Sequence, residues 1–159
     1  MIENVTAIAT VVAAVGTGLT AGVLLAFSVA VVPALSTRPR SEAAATMQVI
    51  NIVIIAPVFL AVFLGSAVAG VVAVVGAIAT NDSERLYIGI GTAVYVTGCV
   101  IVTAAVNVPL NNALAQTDPA TTDGAATWDS YRSRWTRWNH ARTAAATAAC
   151  VLSTVAAAI

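Results

Sequence analysis

The chain has 159 residues, of which 59% are hydrophobic and 9% are charged, and its formal net charge is +0. A soluble domain carries about 25% charged residues. This composition therefore excludes a soluble globular protein and predicts one integral membrane domain, residues 1–159, in contact with the lipid bilayer. Seven basic residues balance seven acidic ones, which excludes the basic surface typical of proteins that bind nucleic acid.

The first apolar segment, residues 4–35, is longer than the core of a signal peptide and lacks its basic start. We therefore predict a first helix that is retained in the membrane. Gly18 and Gly22 form a G-x-x-x-G step, which is typical of closely packed membrane helices. Pro33 is expected to close the helix, and residues 36–41 predict a polar turn.

The second helix is predicted over residues 42–80. A perpendicular span needs about 20 residues, so the first turns of this helix are expected at the membrane interface, before it enters the bilayer near Asn51. Pro57 removes one backbone hydrogen bond from the helix. We therefore predict a kink shortly after Asn51.

The third helix, residues 86–114, follows a short charged turn that contains Asp82. Polar residues recur on this helix every four positions, which places them along one face. They are Tyr95, Cys99, Thr103, Asn107 and Asn111. Two interpretations of the asparagines are open, because side-chain amides either tie membrane helices together or bind a ligand.

The fourth helix is predicted over residues 127–158, with Thr127 as its N-cap. A span of about 20 residues that ends with the last residue begins near His140. Asn139, His140 and Arg142 are therefore expected at or inside the membrane boundary, where an ionisable side chain indicates a functional site.

One broad face of the fourth helix is aromatic when each residue advances about 100° around the axis. This face holds Trp128, Tyr131, Arg132, Trp135, Trp138, Asn139 and Arg142, whereas Arg134, Arg137 and His140 fall off it. The aromatic residues either pack inward or form the belt that membrane interfaces favour.

The arginines predict the orientation of the chain in the membrane. One side holds Arg38, Arg40, Arg132, Arg134, Arg137 and Arg142, and the opposite side holds Arg85. By the positive-inside rule the first side is cytoplasmic. We therefore predict an all-α, four-helix transmembrane bundle with both termini outside and the fourth helix extended at its cytoplasmic end, in a bacterial cytoplasmic membrane.

The same alternation of helices brings a group of residues together at the cytoplasmic end of the bundle. The group consists of Phe27, Ser28, Asn51, Asn107, Asn111, Asn139, His140 and Arg142. Polar clusters inside helix bundles are where ligand sites are commonly built. A pocket for an apolar small molecule is therefore predicted at this end.

Several of these residues lie in four longer segments. They are Phe27-Ser28 with Pro33-Ala34-Leu35, Met47-Gln48-Val49-Ile50-Asn51, Asn107-Val108-Pro109-Leu110-Asn111 and Trp135-Thr136-Arg137-Trp138-Asn139-His140-Ala141-Arg142-Thr143. Together they resemble the anthrone-oxygenase-like family of small four-helix membrane proteins, over nearly the whole chain. The Asn-x-Pro-x-Asn and Trp-Asn-x-x-Arg segments are the more specific parts. Much of this family is a domain of unknown function, and some fungal members are linked to the oxidation of anthrones to anthraquinones without a recognised metal or flavin.

The resemblance implies a cofactor-independent oxygenase or oxidoreductase that acts on an anthrone- or quinone-like molecule. Such chemistry requires a base, donors that hold an enolate, and an apolar pocket. The candidate base is His140. The candidate oxyanion donors are Arg142, Asn107, Asn111 and Asn139, and the candidate substrate contacts are Asn51, Trp135, Trp138 and Phe27. On a regular helix His140 points about 100° away from Asn139, so either the helix is distorted there or His140 is not the base.

Two alternatives concern cofactors and function class. The sequence has one histidine and no C-x-x-C motif, and no carboxylate lies within a predicted span. These are too few ligands for a metal cage, so no metal and no cofactor are predicted. Haem with His140 as its axial ligand is the alternative.

The alternative function is a non-catalytic membrane subunit or small-molecule binder that docks partner chains, or forms a homo-oligomer, through small-residue helix faces. It predicts that the asparagines and Arg142 pair only with one another and leave no cavity.

Overall fold

The structure is a computed structural model that describes residues 1–81 and 83–159. The described chain forms α1 (Ile2–Ser36), α2 (Arg40–Val53), α3 (Pro57–Ala79), α4 (Arg85–Ala115) and α5 (Thr122–Ala158). Of these helices, α1, α3, α4 and α5 are each long and apolar enough to cross a membrane. The predicted all-α architecture with four membrane-crossing helices is confirmed for this part of the chain.

The four long helices form a ring in which α1 packs against α3 and α5, and α4 also packs against α3 and α5. Tyr95 of α4 lies at the centre of the ring and is fully buried. Its hydroxyl donates to the carbonyl of Phe63 at 2.9 Å and lies 3.2 Å from the hydroxyl of Thr20. A single side chain therefore ties α1, α3 and α4 together.

Glycines let the helices of the ring approach closely. A Cβ atom at Gly16 would lie 2.1 Å from Ser66 Oγ, and one at Gly76 would lie 2.0 Å from Thr6 Oγ1. The G-x-x-x-G step behaves differently, because a Cβ atom at Gly18 would lie 3.1 Å from Cys150 Sγ and one at Gly22 would have no such neighbour within 4 Å.

Two of the long helices widen locally ahead of a proline. In α1 the segment Phe27–Val31 is π-helical and Pro33 follows, and in α4 the segment Thr103–Asn107 is π-helical and Pro109 follows. Proline has no N–H, and its ring clashes with the carbonyl four residues earlier, so a wider turn accommodates it. The helix predicted to close at Pro33 therefore continues to Ser36.

The single kinked helix predicted over residues 42–80 is wrong. The chain forms two helices, α2 and α3, because Ala56 has an extended backbone (φ −66°, ψ 144°) ahead of Pro57. The residue before a proline is driven out of the helical conformation by contact with the proline ring. The break therefore lies at residues 54–56.

The predicted start of the last helix at Thr127 is also wrong. The N-cap is Thr121, whose hydroxyl accepts a hydrogen bond from the backbone N–H of Gly124 at 3.0 Å. A Cβ atom at Gly124 would lie 2.2 Å from the carbonyl oxygen of Asp118. Gly124 lies in the first helical turn. Glycine is needed there because any side chain would collide with the preceding loop.

The turns that follow α1 and α4, with the adjoining first half of α5, carry most of the arginines, and we call this end of the bundle the arginine-rich end. There Arg40 of α2 forms an ion pair with Asp129 of α5 at 2.9 Å. At the opposite end Arg85 donates to Asn81, and Asp82 lies outside the described residues. The direction in which the bundle crosses the membrane stays a prediction.

Candidate functional site

A cavity of about 260 Å³ lies among α1, α3, α4 and α5, in the half of the bundle nearer the arginine-rich end. Six of the residues singled out from the sequence line it. They are Phe27, Asn51, Asn107, Asn111, Trp135 and Arg142. Ligand pockets usually measure about 300 to 1,000 Å³, so this cavity lies just below that range and suits a small molecule.

Arg142 is held in one position by contacts from two helices. Its Nη1 donates to Thr103 Oγ1 at 3.0 Å, and its Nη2 donates to Asn139 Oδ1 at 2.7 Å. Its guanidinium carbon lies 5.3 Å from the ring centroid of Trp135, within the range of a cation–π contact. Arg142 is 5% exposed, and its hydrogen-bond partners among the described residues do not include a carboxylate. Its charge is therefore buried without a counter-charge from this part of the chain.

Asn139 is buried beside the cavity and holds Arg142 in place. Its Nδ2 donates to the Leu24 carbonyl and to Ser28 Oγ, each at 2.7 Å. These bonds identify its Oδ1 as the atom that faces Arg142. The π-helical turn of α1 presents Ser28 to this contact. Asn139 is therefore a positioning residue and does not line the cavity.

The inner wall of the cavity carries polar atoms that lack a hydrogen-bond partner within the described chain. Asn107 is 1% exposed, yet neither its Nδ2 nor its Oδ1 has a partner, and the same holds for Trp135 Nε1 and Arg142 Nε. An unpaired buried polar group costs about 1–3 kcal/mol. Asn107, Trp135 and Arg142 all line the cavity, and contacts within the described chain leave three of their donors and one acceptor unpaired.

Tyr131 links the two remaining asparagines of the cavity. Its hydroxyl donates to Asn111 Oδ1 at 3.0 Å and accepts from Asn51 Nδ2 at 3.3 Å. This arrangement leaves Asn51 Oδ1 and Asn111 Nδ2 as the amide atoms not used by Tyr131. Sequence reasoning placed Tyr131 on the aromatic face but did not include it among the site residues, because the position of its hydroxyl depends on two distant helices.

Aromatic side chains form the apolar part of the wall. The rings of Phe27 and Trp135 lie 5.7 Å apart, and Phe59 stacks on Phe63 with centroids 5.7 Å apart. Trp138 is 40% exposed and does not line the cavity. A flat substrate would therefore contact Trp135 and not Trp138.

His140 lies on the outer surface of α5. The helix is regular from Thr122 to Ala158, and the His140 side chain is exposed and does not line the cavity. Of the two alternatives left open by the sequence, this geometry favours the one in which His140 is not the base. It also separates the only histidine of the chain from the space that a cavity-bound haem would occupy.

Acidic side chains and metal ligands do not gather at the cavity. Over residues 1–81 and 83–159, no group of three or more His, Cys, Asp or Glu side chains is close enough together to hold a metal ion. Within the same ranges, no carboxylate lines the cavity. The arrangement provides hydrogen-bond donors and one buried positive charge, which suits an anion or a polarised carbonyl oxygen.

Comparison with known proteins gives one match. No curated protein and no solved structure matches the chain. A family model described as anthrone oxygenase matches residues 55–152. The match contains Asn107, Asn111, Trp135, Asn139 and Arg142, while Phe27 and Asn51 lie outside it. Because it covers more than half of the chain, the protein belongs to the anthrone oxygenase family.

Proposed function

We propose that this protein is a cofactor-independent oxygenase that oxidises an anthrone-like ring ketone to the corresponding quinone in the cavity. Membership of the anthrone oxygenase family supports the reaction class. The apolar, aromatic wall formed by Phe27, Phe63 and Trp135 suits a flat polycyclic ring.

The observation that carries the proposal is the buried guanidinium of Arg142, which has no carboxylate partner in the described chain and lines the cavity. A buried cation without a counter-charge is costly and favours an anionic ligand. The enolate of an anthrone provides such an anion during the reaction. Asn107 Nδ2 and Trp135 Nε1 are the further donors on the same wall.

The reaction balances with dioxygen as the only oxidant. The ring methylene loses a proton to water and the ketone becomes an enolate, whose electrons form a carbon–oxygen bond to O₂. The peroxide anion formed in this way takes that proton back and becomes a hydroperoxide. The resulting hydroperoxide then loses water, so one CH₂ group and one O₂ become one C=O group and one H₂O. The positive charge of Arg142 favours the enolate over the ketone, which reduces the demand for a strong protein base.

Asn139 has an indirect role in this proposal. Its bonds to Leu24 and Ser28 fix its amide, and its Oδ1 then fixes Arg142. Preorganised donors stabilise a developing charge without reorganising during the reaction. Asn139 thus holds the guanidinium where the enolate oxygen forms.

The direct test is oxidation of anthrone by the protein in lipid nanodiscs, with anthraquinone formation and O₂ uptake followed together. We expect a rate above that of protein-free nanodiscs, with one O₂ consumed per anthraquinone formed. Arg142→Lys keeps the charge but replaces the planar guanidinium, which donates from two separate nitrogens to Thr103 and Asn139, with a single ammonium nitrogen, so its rate is expected to fall by about tenfold or more. Arg137→Lys is the matched control, because Arg137 is exposed on the same helix.

Three outcomes would contradict the proposal. If wild-type protein oxidises anthrone no faster than empty nanodiscs, the activity is absent for this substrate. If it binds anthraquinone without oxidising anthrone, the protein is a small-molecule binder, which is the alternative function class. An equal loss of rate in Arg137→Lys and Arg142→Lys would show that the reaction does not depend on the cavity.

A further inference from the structure

The most deeply buried end of the cavity is polar, and its most exposed lining residues are apolar, while Asn51 and Asn111 lie between these ends and are half-buried. Asn107 and Trp135 are 1% and 5% exposed, whereas Ile55 and Val108 line the same cavity and are 62% and 42% exposed. The cavity therefore reaches the protein surface between the break at residues 54–56 and Val108, two turns before the end of α4.

One side of this mouth, at Val108, lies on α4, which is long and apolar enough to cross a membrane, and the other side, at Ile55, immediately precedes α3, which is also long and apolar enough. Val108 precedes the end of α4 at Ala115 by seven residues, which is about 10 Å along a helix. Ile101, two turns earlier on α4, is 53% exposed and apolar, as expected for a surface in contact with acyl chains. The cavity residues nearest the mouth include Ile54, Ile55, Leu60 and Val108, so most of its rim matches lipid, and the half-buried amides of Asn51 and Asn111 are its polar part.

The break between α2 and α3 helps to form the mouth. Irregular backbone at membrane depth is tolerated where it lines a cavity or is buried in protein. Ile54 and Ile55 belong to this irregular segment and line the cavity. The break thus separates two helices at the point where the cavity meets the surface.

We propose that the ligand enters this cavity sideways from the lipid leaflet, between Ile55 and Val108, with its oxygen leading toward Arg142, and that the product leaves by the same mouth. The identity of the ligand, an apolar ring ketone, rests on the proposed function. An acyl chain entering by this route would leave the Asn107 amide and Trp135 Nε1 without partners, because it carries no polar group. A ring ketone satisfies donors at the closed end and matches lipid at the open end.

The first test measures what the mouth contacts and needs no ligand. A nitroxide is attached at Val108→Cys, and for comparison at Ile101→Cys, in a Cys150→Ala background in nanodiscs; Cys99 is fully buried. We expect both labels to collide often with O₂, which partitions into lipid, and rarely with water-soluble nickel ethylenediaminediacetate. Frequent collisions of the nickel complex at position 108 but not at position 101 would overturn the proposal, since the mouth would then face water.

The second test measures the rates at which radiolabelled anthraquinone binds to and leaves the protein in nanodiscs, by the same rapid filtration assay in wild type and in each tryptophan variant, and Kd is the ratio of the two rate constants. Ile55→Trp and Val108→Trp narrow the mouth. We expect both rate constants to fall by about tenfold, equal to about 1.4 kcal/mol on the barrier, with Kd little changed. Ile52→Trp and Ile101→Trp are matched controls, because both positions are exposed and neither lines the cavity.

The outcomes separate this inference from the proposed function. Unchanged rates in both mouth variants would overturn the lateral route while leaving the oxygenase proposal standing. A changed Kd with an unchanged association rate would place Ile55 and Val108 in the binding site and also overturn the route. Failure of wild-type protein to bind anthraquinone would overturn the ring-ketone ligand, and the nitroxide result would still decide whether the mouth faces lipid.

Discussion

Arg142 donates from its Nη2 to Asn139 Oδ1 at 2.7 Å, across one turn of α5. Asn139 is fully buried, and its own donors are used by Leu24 and Ser28 of α1. The amide therefore connects the cavity-lining guanidinium to the neighbouring helix. Stability and the geometry of the site depend on the same side chain.

Asn139→Ala is expected to lower the free energy of unfolding by about 1–3 kcal/mol, because Arg142 Nη2 and Ser28 Oγ lose their partner in a buried site. The measurement is an equilibrium denaturation series in mixed detergent micelles. Asn112→Ala is the control, since Asn112 is exposed on α4 and its loss is expected to cost little. Equal destabilisation by the two substitutions would show that the Asn139 bonds contribute nothing specific.

Asn107→Leu is expected to separate stability from ligand binding. Neither polar atom of Asn107 has a partner in the described chain, so replacing the amide with an apolar side chain of similar size should leave the free energy of unfolding unchanged or raise it by about 1–2 kcal/mol. Anthraquinone affinity is expected to fall by about tenfold, which corresponds to about 1.4 kcal/mol.

Asn111→Leu is the comparison for this substitution. Asn111 accepts a hydrogen bond from the Tyr131 hydroxyl at 3.0 Å, so its loss should destabilise the fold as well as the site. A drop in the stability of Asn107→Leu that equals the drop in Asn111→Leu would show that Asn107 serves the packing of the bundle.

Much of the fold follows from the hydropathy of the sequence. Long apolar segments separated by short polar turns predict the four membrane-crossing helices, and the bounds predicted for the third helix differ from Arg85–Ala115 by one residue at each end. The break at residues 54–56 could not be predicted from the sequence, because a proline is equally compatible with a kinked helix and with a broken one. The outcome depends on how neighbouring helices satisfy the freed backbone groups.

The site was predictable only as far as helical periodicity extends. The spacing of Trp135, Asn139 and Arg142 on one face placed them inward, as the structure has them. Periodicity gives the direction of a side chain but not its partner. The hydrogen bonds from Tyr131 to Asn111 and from Asn139 to Leu24 join distant parts of the chain and have no local signal.

His140→Ala is expected to leave the rate of anthraquinone formation within about twofold of wild type, because exposed side chains away from a site change free energies by about 0.5 kcal/mol or less. Loss of a general base would instead cost about 10² to 10⁴ in rate. The measurement is the initial rate in nanodiscs, with Asn107→Leu as the impaired comparison. A loss of a hundredfold or more would restore His140 as the base, despite its exposed position.

The close contact between α4 and α5 at Gly98 provides the sharpest test of the packing. A Cβ atom at Gly98 would lie 2.6 Å from Ala145 Cβ, and neither atom belongs to a side chain that could turn aside. Gly98→Ala is therefore expected to lower the free energy of unfolding by about 1–3 kcal/mol, the usual cost of overpacking.

Gly22→Ala is the matched control for that substitution, because a Cβ atom there would have no such neighbour within 4 Å and alanine favours a helix over glycine by about 1 kcal/mol. Gly22→Ala should be neutral or stabilising in monomeric micelles. Destabilisation by Gly22→Ala that grows with protein concentration would mean that the G-x-x-x-G face joins two copies of the chain. Equal stability of Gly98→Ala and wild type would contradict the packing of α4 against α5.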